Sequence, residues 1–378
     1  MRIGIDARSA MAVNDGIGRY ACELLAEYAK RDSADEYFVL KNPLTRVSFA
    51  LDERFHEIVV DAGRFGASAQ LSLPRLLRPL RLDVFHALHF SLPLAYRGAM
   101  VMTVHDILPI LSPWSFGRGA VGNAVASTYI NLLIRASIRR SRLVAVSSEN
   151  TLRDVVTHLH ADPQKLRKAY LGINVTEFAP PPEAGVVPAR LGLHGPFFVT
   201  VTNFKPHKNT GRLVEAFRLV RQTHPEASLA IIGADARGLA RGLGDPQMLA
   251  AENIKVLGYQ DDATVTALMS QAIAFVYPSR YEGFGFPLVE AMAAGAAVVS
   301  STAASLPELG GDAVLYADPD DARGFADGMA RIMKDGALRK SLQEQGRRRA
   351  ASFQWSSTAD AMLAMYREAA RQGGGADS

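Results

Sequence analysis

The chain has 378 residues, of which 48% are hydrophobic, and a formal net charge of +4. A chain of this length exceeds one ordinary hydrophobic core, which predicts two domains. So small a charge over so long a chain argues against a nucleic-acid-binding protein. The single cysteine, Cys22, excludes a disulfide framework and predicts a reducing, cytoplasmic location.

Apolar segments of strand length alternate with helical patterns along the whole chain. No run approaches the roughly 20 apolar residues that cross a bilayer, and a strand pattern begins at Arg2, so we expect neither a membrane span nor a signal peptide. The predicted strands cover residues 2–7, 37–40, 57–60, 84–87, 99–104 and 143–147, then 197–202, 229–233, 254–258, 272–277, 296–300 and 313–316. We predict an α/β fold of two Rossmann-like, doubly wound parallel-sheet domains that face each other across a cleft.

A proline-rich segment from Ala179 to Pro188 separates the two series of strands. Such a composition is typical of an interdomain linker. We therefore expect a first domain over residues 1–178, a linker over 179–190 and a second domain over 191–355. The tail over 373–378 is expected to be disordered.

Two glycines, Gly16 and Gly18, stand between the first strand and a helix predicted over residues 19–30. Glycine permits close approach of the backbone to a phosphate at a helix start. Their spacing is not the dinucleotide fingerprint G-x-G-x-x-G, and no P-loop pattern occurs in the chain. Both are candidate contacts to the phosphates of a ligand.

A histidine and an aspartate, His105 and Asp106, leave the end of the strand over 99–104. An imidazole there can hydrogen-bond a sugar hydroxyl while the carboxylate steadies its tautomer. The alternative is a core histidine tied to a carbonyl. His86 and His89 lack a carboxylate neighbour and are interpreted as structural or acceptor-lining, and because these two alone would leave a metal short of ligands, no metal site is predicted.

Two carboxylates, Glu282 and Glu290, stand eight positions apart across a glycine-rich turn and a helix start that opens on a proline. The unpaired N–H groups around Phe284, Gly285 and Phe286 would point into the cleft, a site for hydroxyls or phosphate. Alternatively, each glutamate is only a dipole or capping partner of the helix. The joint pattern favours a sugar-nucleotide site.

This segment resembles the E-x7-E signature of the retaining glycosyltransferases of family four, which have the GT-B fold. The resemblance covers nearly the whole chain and is densest from about Phe197 to Asp318. It implies that Glu282 lies at the transferred sugar and that Glu290 binds the ribose hydroxyls. It also implies a metal-independent enzyme whose last helix, over 356–372, returns onto the first domain.

The loop after the first strand of the second domain is the predicted diphosphate site, because a leaving diphosphate without a metal needs cations and helix dipoles. The resemblance makes Lys208 the phosphate-binding lysine. The family usually has an arginine where this chain has Asn203. Lys205 or His207 is the candidate to supply the missing charge.

Further candidates lie at strand ends. Gly233 and Asp235 end one strand, and Tyr259 follows another, where the family binds the base of the donor. Leu306-Pro-Glu308 resembles the family's L-P-E turn near the nucleotide. Ser147 ends a first-domain strand and is predicted to contact the acceptor or to cap a helix. The resemblance places Gly16 and Gly18 against the donor diphosphate.

The resemblance implies transfer of a hexose from a nucleotide sugar to a glycan or lipid-linked acceptor in cell-surface polysaccharide synthesis, with no cofactor beyond the donor. Glu282 would orient the sugar, His105 would bind its C6 side and Lys208 would hold the diphosphate. The N-terminal D-G-I-G-R-Y stretch resembles bacterial mannosyl- and rhamnosyltransferases, which favours GDP-mannose over UDP-glucose or a dTDP-sugar. A UDP-GlcNAc 2-epimerase of the same fold and a non-catalytic GT-B partner subunit are the alternatives.

The charge of the chain is unevenly distributed. Residues 1–178 contain 22 Lys+Arg and 17 Asp+Glu, whereas the remainder contains 20 and 21. Four arginines flank the end of an apolar helical pattern over 121–138: Arg135, Arg139, Arg140 and Arg142. They predict peripheral contact with an anionic membrane, at the inner face of the plasma membrane. A core helix with a basic last turn is the alternative.

Overall fold

A computed structural model describes residues 1–10, 16–62, 67–112, 119–233 and 246–372 of the chain. The chain divides into two compact units. The first comprises Met1–Gly172 together with the segment that starts at Gln354, and the second comprises Ile173–Phe353. The boundary between the units therefore lies after Gly172, whereas the sequence predicted it after residue 178. The predicted disordered tail over 373–378 lies outside the described residues.

The described ranges contain parallel strands and the helices that join them. The strands are β1 (Arg2–Asp6), β2 (Glu36–Lys41), β3 (Phe55–Val59), β4 (Val84–Ala87), β5 (Met100–Val104), β6 (Leu143–Val146), β7 (Leu166–Lys168), β8 (Phe197–Val201), β9 (Ser228–Ile232), β10 (Ile254–Gly258), β11 (Ala274–Tyr277), β12 (Val298–Ser301) and β13 (Val314–Ala317). The helices are α1 (Gly16–Ala29), α2 (Ala67–Leu77), α3 (Leu108–Leu111), α4 (Gly119–Arg140), α5 (Glu149–Leu159), α6 (Val187–Arg190), α7 (Thr210–Arg221), α8 (Pro246–Ala251), α9 (Asp262–Gln271), α10 (Phe286–Ala293), α11 (Leu306–Gly310), α12 (Ala322–Lys334), α13 (Gly336–Ala350) and α14 (Trp355–Arg371).

The first unit is built on a sheet in the order β3-β2-β1-β4-β5-β6-β7, with every pairing parallel. The chain moves outward from β1 to one edge and then resumes at β4 on its other side. The C-terminal helix α14 packs in this unit, where Trp355 and Tyr366 are buried. The Tyr366 hydroxyl lies 2.7 Å from Nδ1 of His86, a residue of β4, so the helix is tied to the centre of the sheet.

The second unit repeats this architecture in a sheet of the order β10-β9-β8-β11-β12-β13, again all parallel. Its core contains large buried aromatic side chains from both faces: Phe198, Phe217, Phe275 and Phe325. Continuous apolar strands such as β8 and β11 fit this position, because helices cover both faces of a parallel sheet. The α/β prediction is confirmed in both units.

The segment predicted as a linker, 179–190, packs within the second unit. Ala184 and Pro188 are buried, and a short 3-10 turn leads into α6. Proline is tolerated in the first turn of a helix because its missing N–H would be unpaired there. A proline-rich composition therefore marks a helix start here, and the linker prediction does not describe this segment.

All twelve predicted strands are present, with ends that differ by a few residues. Strand β7 was not predicted, because Leu166-Arg-Lys168 is a three-residue edge strand with a single apolar side chain. Among the helices of the described ranges, none is long and apolar enough to cross a membrane.

Candidate functional site

The main candidate site lies at the carboxyl end of the second sheet, between β8 and β11. These strands are neighbours, and the chain leaves β8 toward one edge of the sheet and β11 toward the other. In open parallel sheets this switch point forms the crevice that binds ligands. The loop after β8 carries Lys208, and the loop after β11 carries Glu282.

Lys208 and Glu282 form an ion pair in this crevice. The Lys208 Nζ atom donates to Glu282 Oε1 over 2.8 Å, and both side chains are largely buried. The Tyr277 hydroxyl completes the group, because it accepts from Lys208 Nζ and donates to Glu282 Oε1, each over 2.8 Å. The two predicted residues are thus brought together by a third that was not predicted.

Tyr277 is held in its protonated form. Burial raises its pKa well above the ordinary value, and the negative charge of Glu282 raises it further. The charge of Glu290 acts in the same direction, so both glutamates of the E-x7-E segment lie within electrostatic reach of this phenol. A protonated phenol can donate to Glu282, which a phenolate could not.

The group retains hydrogen-bonding capacity for a ligand. An ammonium has three N–H donors, and the two contacts of Lys208 leave one available for a phosphate oxygen. Within the described ranges, no donor reaches Oε2 of Glu282, which is therefore available to a sugar hydroxyl. A cation and a carboxylate acceptor are in this way presented side by side.

The turn after Glu282 is fixed by backbone geometry. Gly285 has φ +104°, a conformation that side chains rarely adopt, and a Cβ there would lie 2.9 Å from Cδ2 of Leu306. The Ser305 hydroxyl lies 3.0 Å from the carbonyl of Glu282 and 2.7 Å from that of Phe284. The turn therefore delivers the chain to the start of α10 in one defined shape.

The helix α10 begins at Phe286, slightly earlier than the sequence indicated, with Gly285 as its N-cap. Its first N–H groups have no acceptor within the helix and face the same end of the sheet. The Phe284 side chain is buried against Phe286 and Phe353, because a phenyl ring is more stable in the core than in water. We conclude that Phe284 can contribute only backbone to a ligand site.

The loop after β8 presents Asn203 and Lys205 to solvent. Burial lowers the pKa of His207 to about 4, although the charge of Glu282 opposes this shift, so the imidazole is neutral at neutral pH. A neutral His207 favours Lys205 as the residue that supplies the charge of the arginine missing at Asn203. Lys205 remains the candidate for that role.

The base of this loop is held by Asn209, which has a positive φ of 54°. Its side-chain amide donates to the carbonyl of Pro278 over 3.0 Å and to that of Pro319 over 2.7 Å. The Arg280 N–H donates to the His207 carbonyl over 2.7 Å. These contacts join the loops after β8 and β11, which fixes Lys208 relative to Glu282.

Gly233 lies at the carboxyl end of the second sheet, directly after β9. It has φ +84°, its N–H donates to the Gly258 carbonyl over 2.7 Å, and a Cβ there would lie 2.9 Å from the Thr202 carbonyl. Only glycine fits this close approach. Tyr259 follows Gly258 with 73% of its surface exposed. Asp235 falls outside the described residues.

In the first unit, His105 follows β5 and is half-buried. Its Nε2 atom lies 3.0 Å from the Leu88 carbonyl, which can only accept, so Nε2 carries the hydrogen. Burial lowers the pKa of His105 to about 4 and keeps the ring neutral, against the effect of this hydrogen bond. The ring of Tyr20 packs edge-on against it, with 5.0 Å between centroids.

Asp106 and Ser147 each have a backbone hydrogen-bond partner near His105. The Asp106 carboxylate accepts the Leu108 N–H over 2.8 Å, because it follows a strand and faces the start of α3. The Ser147 hydroxyl donates to the His105 carbonyl over 2.8 Å. The neighbouring Ser148 caps α5 by accepting the Thr151 N–H over 3.0 Å.

Gly16 and Gly18 lie in the first turn of α1, not in a loop before a helix that starts at residue 19. Gly16 is exposed, whereas Gly18 is buried. The preceding Asn14 and Asp15 are outside the described residues.

The contacts of His86 support the structural alternative over an acceptor-lining role. Its Nδ1 atom lies 2.7 Å from the Tyr366 hydroxyl and its Nε2 atom 2.8 Å from the Thr103 hydroxyl, which also lies 3.2 Å from that of Tyr20. The Tyr28 hydroxyl donates to Tyr366 over 3.1 Å. Burial lowers the pKa of His86 to about 3, so this buried chain of hydroxyls surrounds a neutral imidazole.

Sequence reasoning missed Tyr277, Ser305 and Asn209. The available signal was position, because Tyr277 is the last residue of a predicted strand and its side chain emerges at the carboxyl end. Nothing in the sequence distinguishes Ser305 from other loop serines. Over the described part of the chain, no cluster of three or more His, Cys, Asp or Glu residues could hold a metal ion.

Comparison with known families decides the class. The family described as "Glycosyl transferases group 1" matches residues 190–349, and "Glycosyltransferase Family 4" matches residues 14–177. The two matches account for most of both units. The chain belongs to the glycosyltransferases of family four. Like other glycosyltransferases, it takes its sugar from a nucleotide sugar and delivers it to a glycan acceptor. The predicted family, fold class and enzyme class are confirmed.

Individual relatives agree with this assignment. The chain is 26% identical to O-antigen chain mannosyltransferase B of Escherichia coli, over 77% of this glycosyltransferase and 76% of the relative. It is 25% identical to O-antigen chain mannosyltransferase RfbU of Salmonella typhimurium, over 65% and 63%. The crystal structure of Anabaena Alr3699/HepE in complex with UDP and glucose has the same fold, with a TM-score of 0.73, 18% identity and coverage of 97% and 99%.

Proposed function

We propose that this glycosyltransferase moves mannose from GDP-mannose to a glycan or lipid-linked acceptor in the synthesis of a cell-surface polysaccharide. The observation that carries the proposal is the hydrogen-bonded group of Lys208, Tyr277 and Glu282 at the switch point of the second sheet. The names of the O-antigen mannosyltransferases that this chain resembles support the choice of sugar and acceptor.

The proposed roles of Lys208 and Glu282 follow from the charges that develop during the reaction. Departure of a nucleoside diphosphate leaves positive charge on the sugar ring and negative charge on the phosphate oxygens. Lys208 supplies a cation to the phosphate, and the start of α10 adds the positive end of a helix dipole. Glu282 orients the sugar and stabilises the oxocarbenium-like state from its free oxygen. Attack by the acceptor on the same face would retain the anomeric configuration.

The remaining candidates bind other parts of the donor in the proposal. Glu290 binds the ribose hydroxyls, and Gly233 and Tyr259 accommodate the base. Lys205 supplements the charge at the diphosphate. In the first unit, the neutral His105 offers its Nδ1 lone pair to a sugar hydroxyl, and backbone N–H groups at Gly16 and Gly18 contact donor phosphate.

A thermal-shift panel of nucleotide sugars tests the donor. A ligand at 100 times its dissociation constant stabilises a protein by about 2.7 kcal/mol, a readily measured shift. We expect GDP-mannose to stabilise the enzyme more than UDP-glucose or dTDP-rhamnose. A shift with UDP-sugars alone would show that the choice of mannose is wrong.

Transfer of radiolabelled mannose to lipid-linked saccharides then tests the reaction. We expect Glu282→Gln to lose transfer, whereas the matched variant Glu215→Gln, at an exposed position of α7, retains it. Turnover of the nucleotide sugar without any acceptor would instead favour the epimerase, and an inactive wild-type protein that binds no donor would favour a non-catalytic subunit.

The proposal includes peripheral contact of α4 with an anionic membrane. Three apolar side chains repeat at helical spacing on one face and are exposed: Val125 at 65%, Tyr129 at 42% and Leu132 at 64%. The opposite face is buried in the first unit through Ile130, Leu133, Ile134 and Ile138. Arg139 continues the exposed face. An apolar stripe that ends in cations fits a headgroup layer, where each basic residue contributes about 1 kcal/mol.

Co-sedimentation with anionic and neutral vesicles tests this contact. We expect binding to anionic vesicles that weakens in high salt and in Leu132→Ser. The variant Leu71→Ser removes a similarly exposed leucine from α2 and should bind as wild type. An equal loss of vesicle binding in the two variants, or no preference for anionic vesicles, would mean that the contact with the acceptor lies elsewhere.

A further inference from the structure

A cavity of about 410 Å³ opens in the first unit at the end of α4 and the start of β6. It lies at the amino ends of the strands of the first sheet, whereas His105 and Ser147 follow the carboxyl ends of β5 and β6. Its size falls within the range of small-molecule pockets, about 300–1,000 Å³. Four cationic side chains line it: Arg139, Arg140, Arg142 and Lys165. Asp162 is the carboxylate among its lining residues.

Two of these cations serve the fold. The Lys165 Nζ atom donates to the carbonyls of Arg139 over 2.9 Å and Ser141 over 3.0 Å, at the C-terminal end of α4. The Arg140 guanidinium donates to the Tyr96 carbonyl. The Asp162 carboxylate accepts the Gln164 N–H over 2.9 Å, which directs it toward its own turn.

The other two cations are uncommitted. Within the ranges that the structure describes, the guanidinium groups of Arg139 and Arg142 have no protein acceptor. Like charges also crowd this cavity. Burial lowers the pKa of Lys165, and Arg142 and Arg140 lower it further, against the effect of Asp162. An anion in the cavity would relieve this repulsion and satisfy the free donors.

We propose that this cavity binds a tetrahedral phosphate group, held by Arg139 and Arg142 and attracted by the charge of Lys165. Guanidinium groups match phosphate oxygens in planar, two-point hydrogen bonds, which makes arginine the usual residue at such sites. The phosphate belongs either to a lipid headgroup or to a free phosphorylated molecule. The lipid source rests on the membrane contact proposed for α4, because Arg139 ends its exposed apolar stripe.

Arginine modification by phenylglyoxal, followed residue by residue with mass spectrometry, tests the site directly. The readout is independent of glycosyl transfer and of phosphate bound at Lys208. Inorganic phosphate is the probe, with potassium chloride at matched ionic strength as its control. At roughly ten times the dissociation constant, a ligand slows modification of the residues it covers about tenfold. We expect this protection at Arg139 and Arg142. The exposed Arg153 of α5, which does not line the cavity, should react at an unchanged rate.

A second arm distinguishes the sources of phosphate. Phosphatidylglycerol vesicles and soluble glycerol phosphate are compared at equal phosphate concentration. Stronger protection by the vesicles identifies a lipid headgroup, and equal protection identifies a free phosphate compound. The variant Arg139→Gln/Arg142→Gln should lose the thermal shift that inorganic phosphate produces, whereas Arg153→Gln should keep it. Absence of protection at Arg139 and Arg142, or equal protection at Arg153, would overturn the proposal even if the enzyme transfers mannose.

Discussion

Lys208, Tyr277 and Glu282 share hydrogen bonds, so a substitution at one of them changes the charge that surrounds the others. In the proposed function Lys208 contacts the diphosphate, which the nucleotide product also contains. Glu282 contacts the sugar, which the product lacks. The ion pair adds a further expectation, because loss of the carboxylate leaves the ammonium without its protein counter-charge.

We therefore predict that substitutions of Lys208 and Glu282 affect the binding of GDP, the nucleotide product, differently. Lys208→Ala should weaken GDP binding at least about tenfold, which corresponds to 1.4 kcal/mol or more. Glu282→Ala should leave GDP binding unchanged or strengthen it, while transfer is lost. Isothermal titration calorimetry with GDP measures both affinities. A comparable loss of GDP affinity in the two variants would refute the division of roles.

The proposed mechanism has a lysine where other transferases have a bridging metal ion. It therefore also predicts how a chelator affects the rate of transfer. In the proposed mechanism Lys208 and the start of α10 neutralise the departing diphosphate, which is the task of Mg²⁺ or Mn²⁺ in metal-dependent transferases. We predict that excess EDTA changes the rate of transfer by less than about twofold. Initial rates with and without EDTA test this. Abolition of activity, with rescue by manganese or magnesium, would contradict it.

At the scale of elements, the turn between β11 and α10 positions both glutamates. Ser305, from the loop after β12, holds this turn through the carbonyls of Glu282 and Phe284. Ser305→Ala removes a buried donor from two carbonyls, a change that costs about 1–3 kcal/mol. We predict that kcat/KM for the donor falls by about tenfold or more, as expected for a loss of this size in positioning.

Steady-state kinetics over a range of donor concentrations measure that effect, with Ser352→Ala as the matched control. Ser352 donates to one carbonyl at the end of α13 and is exposed, so its loss should leave kcat/KM unchanged. If Ser305→Ala reduced only thermal stability and left kcat/KM intact, the turn would not depend on this serine.

The elements themselves were largely predictable because strands and glycine turns leave local signals. The apolar runs of β8 and β11 and the glycines beside Glu282 are local in sequence, and they located the crevice. The contacts of Ser305 and Asn209 are not local, since each side chain reaches a loop that follows a different strand. The same limit applies to 179–190, where proline composition indicated a linker and only the packing of Ala184 and Pro188 reveals a helix start.

At the scale of the whole molecule, two histidines of the first unit make its stability depend on pH, because burial lowers the pKa of each. The folded pKa values are about 3 for His86 and about 4 for His105, below the ordinary value of about 6.5 in an unfolded chain. Above pH 6.5 both states are neutral and the histidines contribute no pH dependence. Below it the unfolded chain binds protons that the folded unit excludes, so stability falls between about pH 6.5 and 4.

We predict a loss of about 1.6 kcal/mol from His86 between pH 6.5 and 5, since one pKa unit corresponds to 1.36 kcal/mol and the unfolded histidine is already half protonated at pH 6.5. Thermal or urea unfolding over this pH range measures the slope. His86→Asn also removes hydrogen bonds, but it should reduce the dependence of the stability of the first unit on pH. Substitution of the exposed His158 should leave this dependence unchanged. An unchanged slope in His86→Asn would show that this histidine is already charged in the folded protein.

The C-terminal helix α14 makes the first unit discontinuous in sequence. Trp355, Met362, Tyr366 and Ala369 are buried in that unit, and each large apolar side chain contributes about 1.5–3 kcal/mol on burial. Their sum is a large share of the 5–15 kcal/mol that stabilises a typical domain. The second unit, Ile173–Phe353, contains no residue of α14. Truncation before α14 should therefore unfold the first unit and leave the second folded.

The two pieces of the first unit can be joined to test this. A Cβ on Gly172 would collide with the backbone of Trp355, so residue 172 and the start of α14 are adjacent and a short linker can connect them. We predict that 1–172 fused to 354–372 unfolds cooperatively in thermal circular dichroism, whereas 1–172 alone does not. Tyr366→Ala in the fused chain should lower its melting temperature, because it removes the partner of His86 and Tyr28. Cooperative unfolding of 1–172 alone would mean that α14 is only an accessory of a unit that is already complete.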